Sequence, residues 1–165
     1  MSEAEYYLAW PEAIDLHVKV SWSQPYTHDL LLSRMAPEDE TAYLYSIISK
    51  FGNEWLPLYI GMVYNQCVSE RHSAPDHKAR MEKLQKRFPE SIFYITLGTP
   101  QFISGRLSQN TIKEIEQLLI YCNWNDKMIN AKEINAFDSS KQIRIINEGF
   151  IEHICQESVY GVFYR

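Results

Sequence analysis

A layered α/β domain of the α+β kind, with a small sheet holding an antiparallel hairpin and a third strand between flanking helices, is the fold class this sequence predicts. Three observations point to it. Two runs rich in β-branched and aromatic residues, 41–49 and 55–60, flank the turn-forming Lys50-Phe51-Gly52-Asn53 and read as a hairpin. Two segments with helical spacing of apolar residues follow, at about 75–88 and 111–121. Between them lies a third β-rich run, 92–97. Hairpin, helix, strand, helix is the order of one small sheet layered with helices.

Each element has its own signals. Pro57 demotes the early part of the second hairpin strand to an edge or bulge, and Gly61 ends it. Residues 68–72 suit a helical turn or two. The next helix opens at Pro75 after Ser73, carries an apolar stripe of Met81, Leu84 and Phe88, and stops at Pro89. The third strand is bounded by Pro89 and Gly98, and a loop follows it. Thr111 and Glu114 have the spacing of a capping box for the last helix. Outside this core, 14–20 alternates with a period of two, as do 142–146 and 158–164, each reading as a strand. Residues 1–38 are expected to form an N-terminal extension, a strand or hairpin packed on a central domain of residues 39–137. Residues 138–165 form a C-terminal extension with short strands.

Composition narrows the class. The chain has 165 residues, 45% hydrophobic and 22% charged, which fits a folded domain with a core rather than a disordered or fibrous chain. No apolar stretch approaches the roughly twenty residues of a membrane span. The acidic N-terminus lacks a signal-peptide pattern, so no membrane or export role is expected. Three scattered cysteines without CxxC pairing argue against a disulfide framework or zinc site and for a reducing cytoplasm. Net charge is −5, yet between Arg71 and Arg87 six basic residues face only Asp76 and Glu82. Such a segment can dock on a phosphate backbone despite the acidic total. A solvated helix face is the plainer alternative.

Two residues sit oddly in their patterns. On a helical wheel Glu116 falls between Ile112 and Ile120, inside the apolar arc. A carboxylate aimed at a core is costly without a cation or metal, unless it reaches water at the stripe's edge. His77 shares the stripe of Met81 and Leu84, where a packed, hydrogen-bonded histidine is the ordinary outcome. Tyr43 and Tyr45, two apart, fall on one face of their strand, and Tyr59 lies on the partner strand.

Together these residues resemble the GIY-YIG nuclease domain. The second half of that signature stands as Tyr59-Ile60-Gly61, ten residues before Arg71; Glu116 lies in IEQLLIY and Asn130 in MINAK, all in the family's order. The likeness covers roughly residues 41–136. The first half is loose, as Thr41-Ala42-Tyr43 or Tyr43-Leu44-Tyr45, with no glycine in either, and the gap to Arg71 is longer than the common one. The resemblance implies an endonuclease that hydrolyses phosphodiester bonds in nucleic acid, DNA more than RNA. It implies Mg2+ or Mn2+ on Glu116 and a general base at Tyr45 or Tyr43, with Tyr59 positioning water or phosphate. Arg71 would hold the scissile phosphate, Asn130 would orient its neighbours, and His77, or secondly His72, would relay a proton. Lys78, Arg80, Lys83, Lys86 and Arg87 are expected to contact the nucleic-acid backbone. A dimer is compatible with cutting both strands. The rivals are a catalytically silent member of the same fold that binds nucleic acid or regulates, and an unrelated interaction domain.

Overall fold

In a computed structural model, residues 14–130 and 137–161 are described. Their chain order is β1 (Leu16–Trp22), β2 (Tyr26–Thr27), α1 (His28–Leu32), a 3-10 turn (Pro37–Glu40), β3 (Leu44–Phe51), β4 (Glu54–Met62), α2 (Val68–His72), α3 (Pro75–Arg87), β5 (Tyr94–Ser104), α4 (Gln109–Cys122), β6 (Ile143–Gly149) and β7 (Glu157–Tyr160). The seven strands make one mixed sheet in the order β4-β3-β5-β1-β6-β7, with β2 pairing to β5. Only the β1–β6 pair is parallel among these neighbours. The α/β class is as expected.

The hairpin forms with a tighter turn than its composition suggested. Phe51 pairs with Glu54, leaving Gly52-Asn53 as a two-residue loop, and Gly52 sits at φ +63, where a side chain is strained. The register shifts between Ile47 and Ile48, opposite Tyr59 and Pro57. That bulge lies where Pro57, with no N–H to donate, interrupts the edge strand.

Three details depart from the sequence-based expectations. β5 does not stop at Gly98 but runs on to Ser104. Gly98 is there for close packing: a Cβ on it would lie 3.0 Å from Val20 Cγ1 and 3.1 Å from both Leu44 Cβ and Trp22 Cζ3. The cap of α4 is Ser108, whose hydroxyl accepts from Thr111 N–H at 3.1 Å, so the capping box at Thr111 is not formed. Tyr43 precedes β3 at a bend and packs with the core on the α4 side, whereas Tyr45 belongs to the core on the other side. The period of two fails across that bend.

The segments flanking the hairpin region add strands to the same sheet. β1 lies between β5 and β6, hydrogen-bonded along both edges, and Val18 and Val20 are fully buried. β6 and β7 extend the sheet beyond it. Residues 1–13, 131–136 and 162–165, which include parts of the expected extensions and the end of the expected 158–164 strand, lie outside the described residues.

Two apolar layers hold the sheet. One joins α4 (Ile112, Ile115, Leu118, Leu119) to β1, β6, Leu44 and Ile60. The other joins Leu31 of α1 and Leu84 of α3 to Tyr45, Ile47, Leu58, Ile95 and Leu97. Truncating a fully buried Leu84 to Ala is expected to cost about 2–5 kcal/mol. Among the described residues no helix is long and apolar enough to cross a membrane.

Candidate active site at the edge of the hairpin

Tyr59 stands on β4, the edge strand, with Tyr45 and Arg80 against its ring and the charges of Arg71 and Glu116 acting on it. Tyr45 on β3 is two ladder positions away, since Tyr45 pairs with Gly61 and Ile47 with Tyr59. The two phenol rings lie 5.9 Å apart, and each phenol acts on the other's charge. The Arg80 guanidinium of α3 lies 4.0 Å over the Tyr59 ring. Arg71 of α2 and Glu116 of α4 both act on Tyr59 electrostatically.

The strand that carries Tyr59 is held from outside. As an edge strand β4 has outward N–H and C=O groups that need partners. Asn130, buried, supplies them for Ile60: Ile60 N–H donates to Asn130 Oδ1 at 3.0 Å and Asn130 Nδ2 donates to Ile60 C=O at 2.8 Å. Ile129 N–H and Asn125 Nδ2 likewise donate to Leu58 and Pro57 carbonyls. The side-chain amide of Asn130 thus acts as one residue of a missing strand, fixing the position between Tyr59 and Gly61.

The helices are positioned with similar economy. Buried Asp39 accepts from Ser69 N–H at 2.9 Å, anchoring the first turn of α2, which carries Arg71 and His72. α3 begins with Pro75 at its first position, where the missing N–H costs nothing. His77, one turn in, is fully buried beside Leu84, and its Nδ1 faces Arg80 Nη1 at 2.9 Å. Arg donates only, so this contact makes Nδ1 the acceptor and places the ring proton on Nε2.

Electrostatics follow from burial. Burial pushes the Tyr45 phenol well above its ordinary range, and neighbouring Tyr59 adds to this, while Arg80 and Arg71 oppose it. Tyr59 is also raised chiefly by burial, against Arg80, with Glu116 adding to the rise. The Tyr45 phenol opposes that rise. Burial holds His72 far below its ordinary value and takes His77 down to about 3. Arg71 makes a two-pronged pair with Asp76, at 3.0 and 2.6 Å, which raises Arg71 and lowers the exposed Asp76 carboxyl.

Of the residues marked by sequence, Tyr45, Tyr59, Arg71, His77, Glu116 and Asn130 are brought together or support one another here. Tyr43 is not; it packs toward Tyr64, ring centroids 6.1 Å apart. Lys78, Lys83 and Lys86 are exposed along α3. Arg87 is engaged with the 126–127 loop, donating to Asp126 C=O at 2.7 Å. Arg80 belongs to the cluster itself rather than to the outer basic face. His28 and Asp76 were not marked by the sequence reading. His28 follows a serine- and proline-rich stretch and has no periodic signal, and only the fold brings it beside His72 and His77.

The resemblance implies a magnesium-type ion on Glu116. Glu116 is half-buried among the fully buried Ile112, Ile115, Leu119 and Ile120, and its carboxylate acts on the Tyr59 phenol. One carboxylate, with the remaining positions left to water and phosphate, is a donor set that such an ion accepts. The residues therefore fit that ion. No family model matches the chain, and no curated protein or solved structure matches it.

Proposed function

We propose that the protein is an endonuclease of the GIY-YIG type that hydrolyses phosphodiester bonds in nucleic acid, with DNA the favoured substrate. The observation that carries the proposal is the packing of a second phenol and the Arg80 guanidinium on Tyr59, with the charges of Arg71 and Glu116 acting on the same phenol. Each meets a need of phosphodiester hydrolysis. Arg71 and Arg80 hold the scissile phosphate; a guanidinium fork matches its oxygens and is never deprotonated. On arrival the phosphate takes the place of Asp76 on Arg71.

The phenol pair handles the proton. Tyr59 is the more exposed of the two, so it first gives up its own proton to solvent, and the phenolate so formed takes a proton from the attacking water. Arg80 and Arg71 stabilise its anion. The water oxygen forms the new bond to phosphorus as the bond to the leaving oxygen breaks, and that oxygen departs with a proton from solvent. Glu116 would hold a divalent ion, which would supply polarisation of the phosphate and positive charge for the leaving oxygen. Lys78, Lys83 and Lys86 on the exposed side of α3 give sequence-independent contacts to the backbone.

The test is cleavage of a panel of DNA substrates (supercoiled, linear, single-stranded and branched) with Mg2+, Mn2+ or EDTA, comparing wild type with Glu116→Ala. Metal-dependent cutting by wild type alone supports the proposal. Cutting by Glu116→Ala at the wild-type rate removes the metal role of Glu116. Salt-sensitive DNA binding without cutting by either protein favours a catalytically silent nucleic-acid-binding protein.

A further inference from the structure

We propose that His28, His72 and His77 form a tris-imidazole site for a single transition-metal ion of the zinc class, separate from the divalent ion at Glu116. The three rings come from α1, α2 and α3, and each offers a nitrogen within 4.8 Å of the others. His72 and His77 are both fully buried. Four of the six ring nitrogens, His28 Nε2, both of His72, and His77 Nε2, are buried with no hydrogen-bond partner. Burying an imidazole N–H or lone pair without a partner costs free energy, and each of the three clustered rings carries such an atom. The ring centroids lie 3.5 Å apart for His72–His77, 5.6 Å for His28–His72 and 6.2 Å for His28–His77.

The chemistry suits this class of ion. Neutral imidazoles are zinc ligands at about 2.0–2.1 Å, so three of them in a tetrahedral site stand about 3.4 Å apart. In such a site the ring centroids stand about 5 Å apart, so His28, at 5.6 and 6.2 Å from the other two, is near that spacing, and the His72 and His77 rings turn apart from 3.5 Å to take up the ion. Three protein ligands leave one position for water. Magnesium-type ions prefer oxygen donors, so the two sites select different metals. An entry route exists, since half-buried His28 lines a surface depression with Met81, Gln85 and Phe93.

Coordination through His77 Nε2 has a consequence for the neighbouring site. The proton now on Nε2 moves to Nδ1 by exchange with solvent, and an Nδ1–H no longer accepts from Arg80. Metal loading therefore releases Arg80 from His77 while leaving it over the Tyr59 ring. The ion also ties α1 to the helices that carry Arg71 and Arg80.

The experiment is titration of the full metal-free chain with Co2+ followed by Zn2+, reading visible ligand-field absorption, calorimetric stoichiometry and melting temperature. The expected result is one Co2+ per chain with tetrahedral-type absorption, displaced by Zn2+, and a higher melting temperature with Zn2+. His28→Ala, at a half-buried position whose loss leaves the core intact, is expected to weaken binding at least about ten-fold, as is His77→Gln. Glu116→Ala is expected to bind Co2+ as wild type does, so the outcome is independent of whether the protein cuts DNA. Three outcomes overturn the proposal: no saturable binding, binding unchanged in both histidine variants, or an intense near-ultraviolet sulfur-to-cobalt band placing the ion on the cysteines.

Discussion

The Tyr45 ring occupies the space where a side chain on Gly61 would stand. A Cβ at Gly61 would lie 2.5 Å from Tyr45 Cζ, 2.6 Å from its hydroxyl oxygen and 2.8 Å from Tyr59 Cε1. The glycine of the Tyr-Ile-Gly signature is thus required by the crowding of its cross-strand partner Tyr45 and of Tyr59 on its own strand, and not by its backbone angles. Gly61→Ala is expected to push the two phenols apart, destabilising the fold by about 1–3 kcal/mol and lowering cleavage by more than its effect on stability explains. Chemical denaturation and cleavage assays on the same preparation separate the two effects.

Asp76 fills the prongs of Arg71 where the proposed mechanism places a phosphate. Asp76→Asn is expected to free Arg71 and tighten binding to a duplex several-fold, with a steeper dependence on salt. Fluorescence anisotropy across a salt series measures it. Weaker binding in this variant would mean that Asp76 holds Arg71 in its working position instead of competing with the substrate.

Asn130 satisfies both outward groups of Ile60. Asn130→Ala leaves a buried N–H and C=O unpaired and is expected to destabilise the protein by about 1–3 kcal/mol per group. Hydrogen exchange should show faster exchange of the Ile60 amide, ahead of amides in β1. Unchanged protection at Ile60 would contradict this role.

His153 is buried against Trp22 and Phe150, and burial pushes it from 6.5 down to about 3. It is therefore neutral in the fold and takes up a proton on unfolding once the pH is below 6.5. Its contribution to stability is present above 6.5 and is lost as pH falls toward 3, with a slope of about 1.4 kcal/mol per pH unit. His153→Phe is expected to flatten the acid limb of the stability curve by that amount. Urea unfolding between about pH 7 and pH 4 reads it out.

The hairpin, α3 and α4 were legible because local chemistry marks them: β-branched runs around Gly52-Asn53, Pro75 and Pro89 bounding α3, an apolar arc on α4. Glu116 and His77 stood out because each breaks a stripe. What was not legible depended on contacts distant in sequence. Gly98 looks like a strand terminator until Val20, Trp22 and Leu44 are seen crowding it. β1 carries a plain alternation that says nothing of its place between β5 and β6. Arg80 reads as one more cation on a basic helix, and only the placement of α3 beside β4 puts it over Tyr59. His28 and His72 are likewise unremarkable alone, since a three-helix convergence has no signature within any one helix.

The central claim is that the group around Tyr59 performs phosphodiester hydrolysis, and single-turnover cleavage of a bound duplex tests it most directly. Tyr59→Phe and Glu116→Gln would be compared with wild type under saturating protein, with DNA affinity measured in parallel. The expected result is a fall in the cleavage rate of about 10²–10⁴-fold for Tyr59→Phe and a comparable loss for Glu116→Gln, with affinity nearly unchanged. Cleavage at the wild-type rate by both variants would contradict the account and place the chemistry elsewhere.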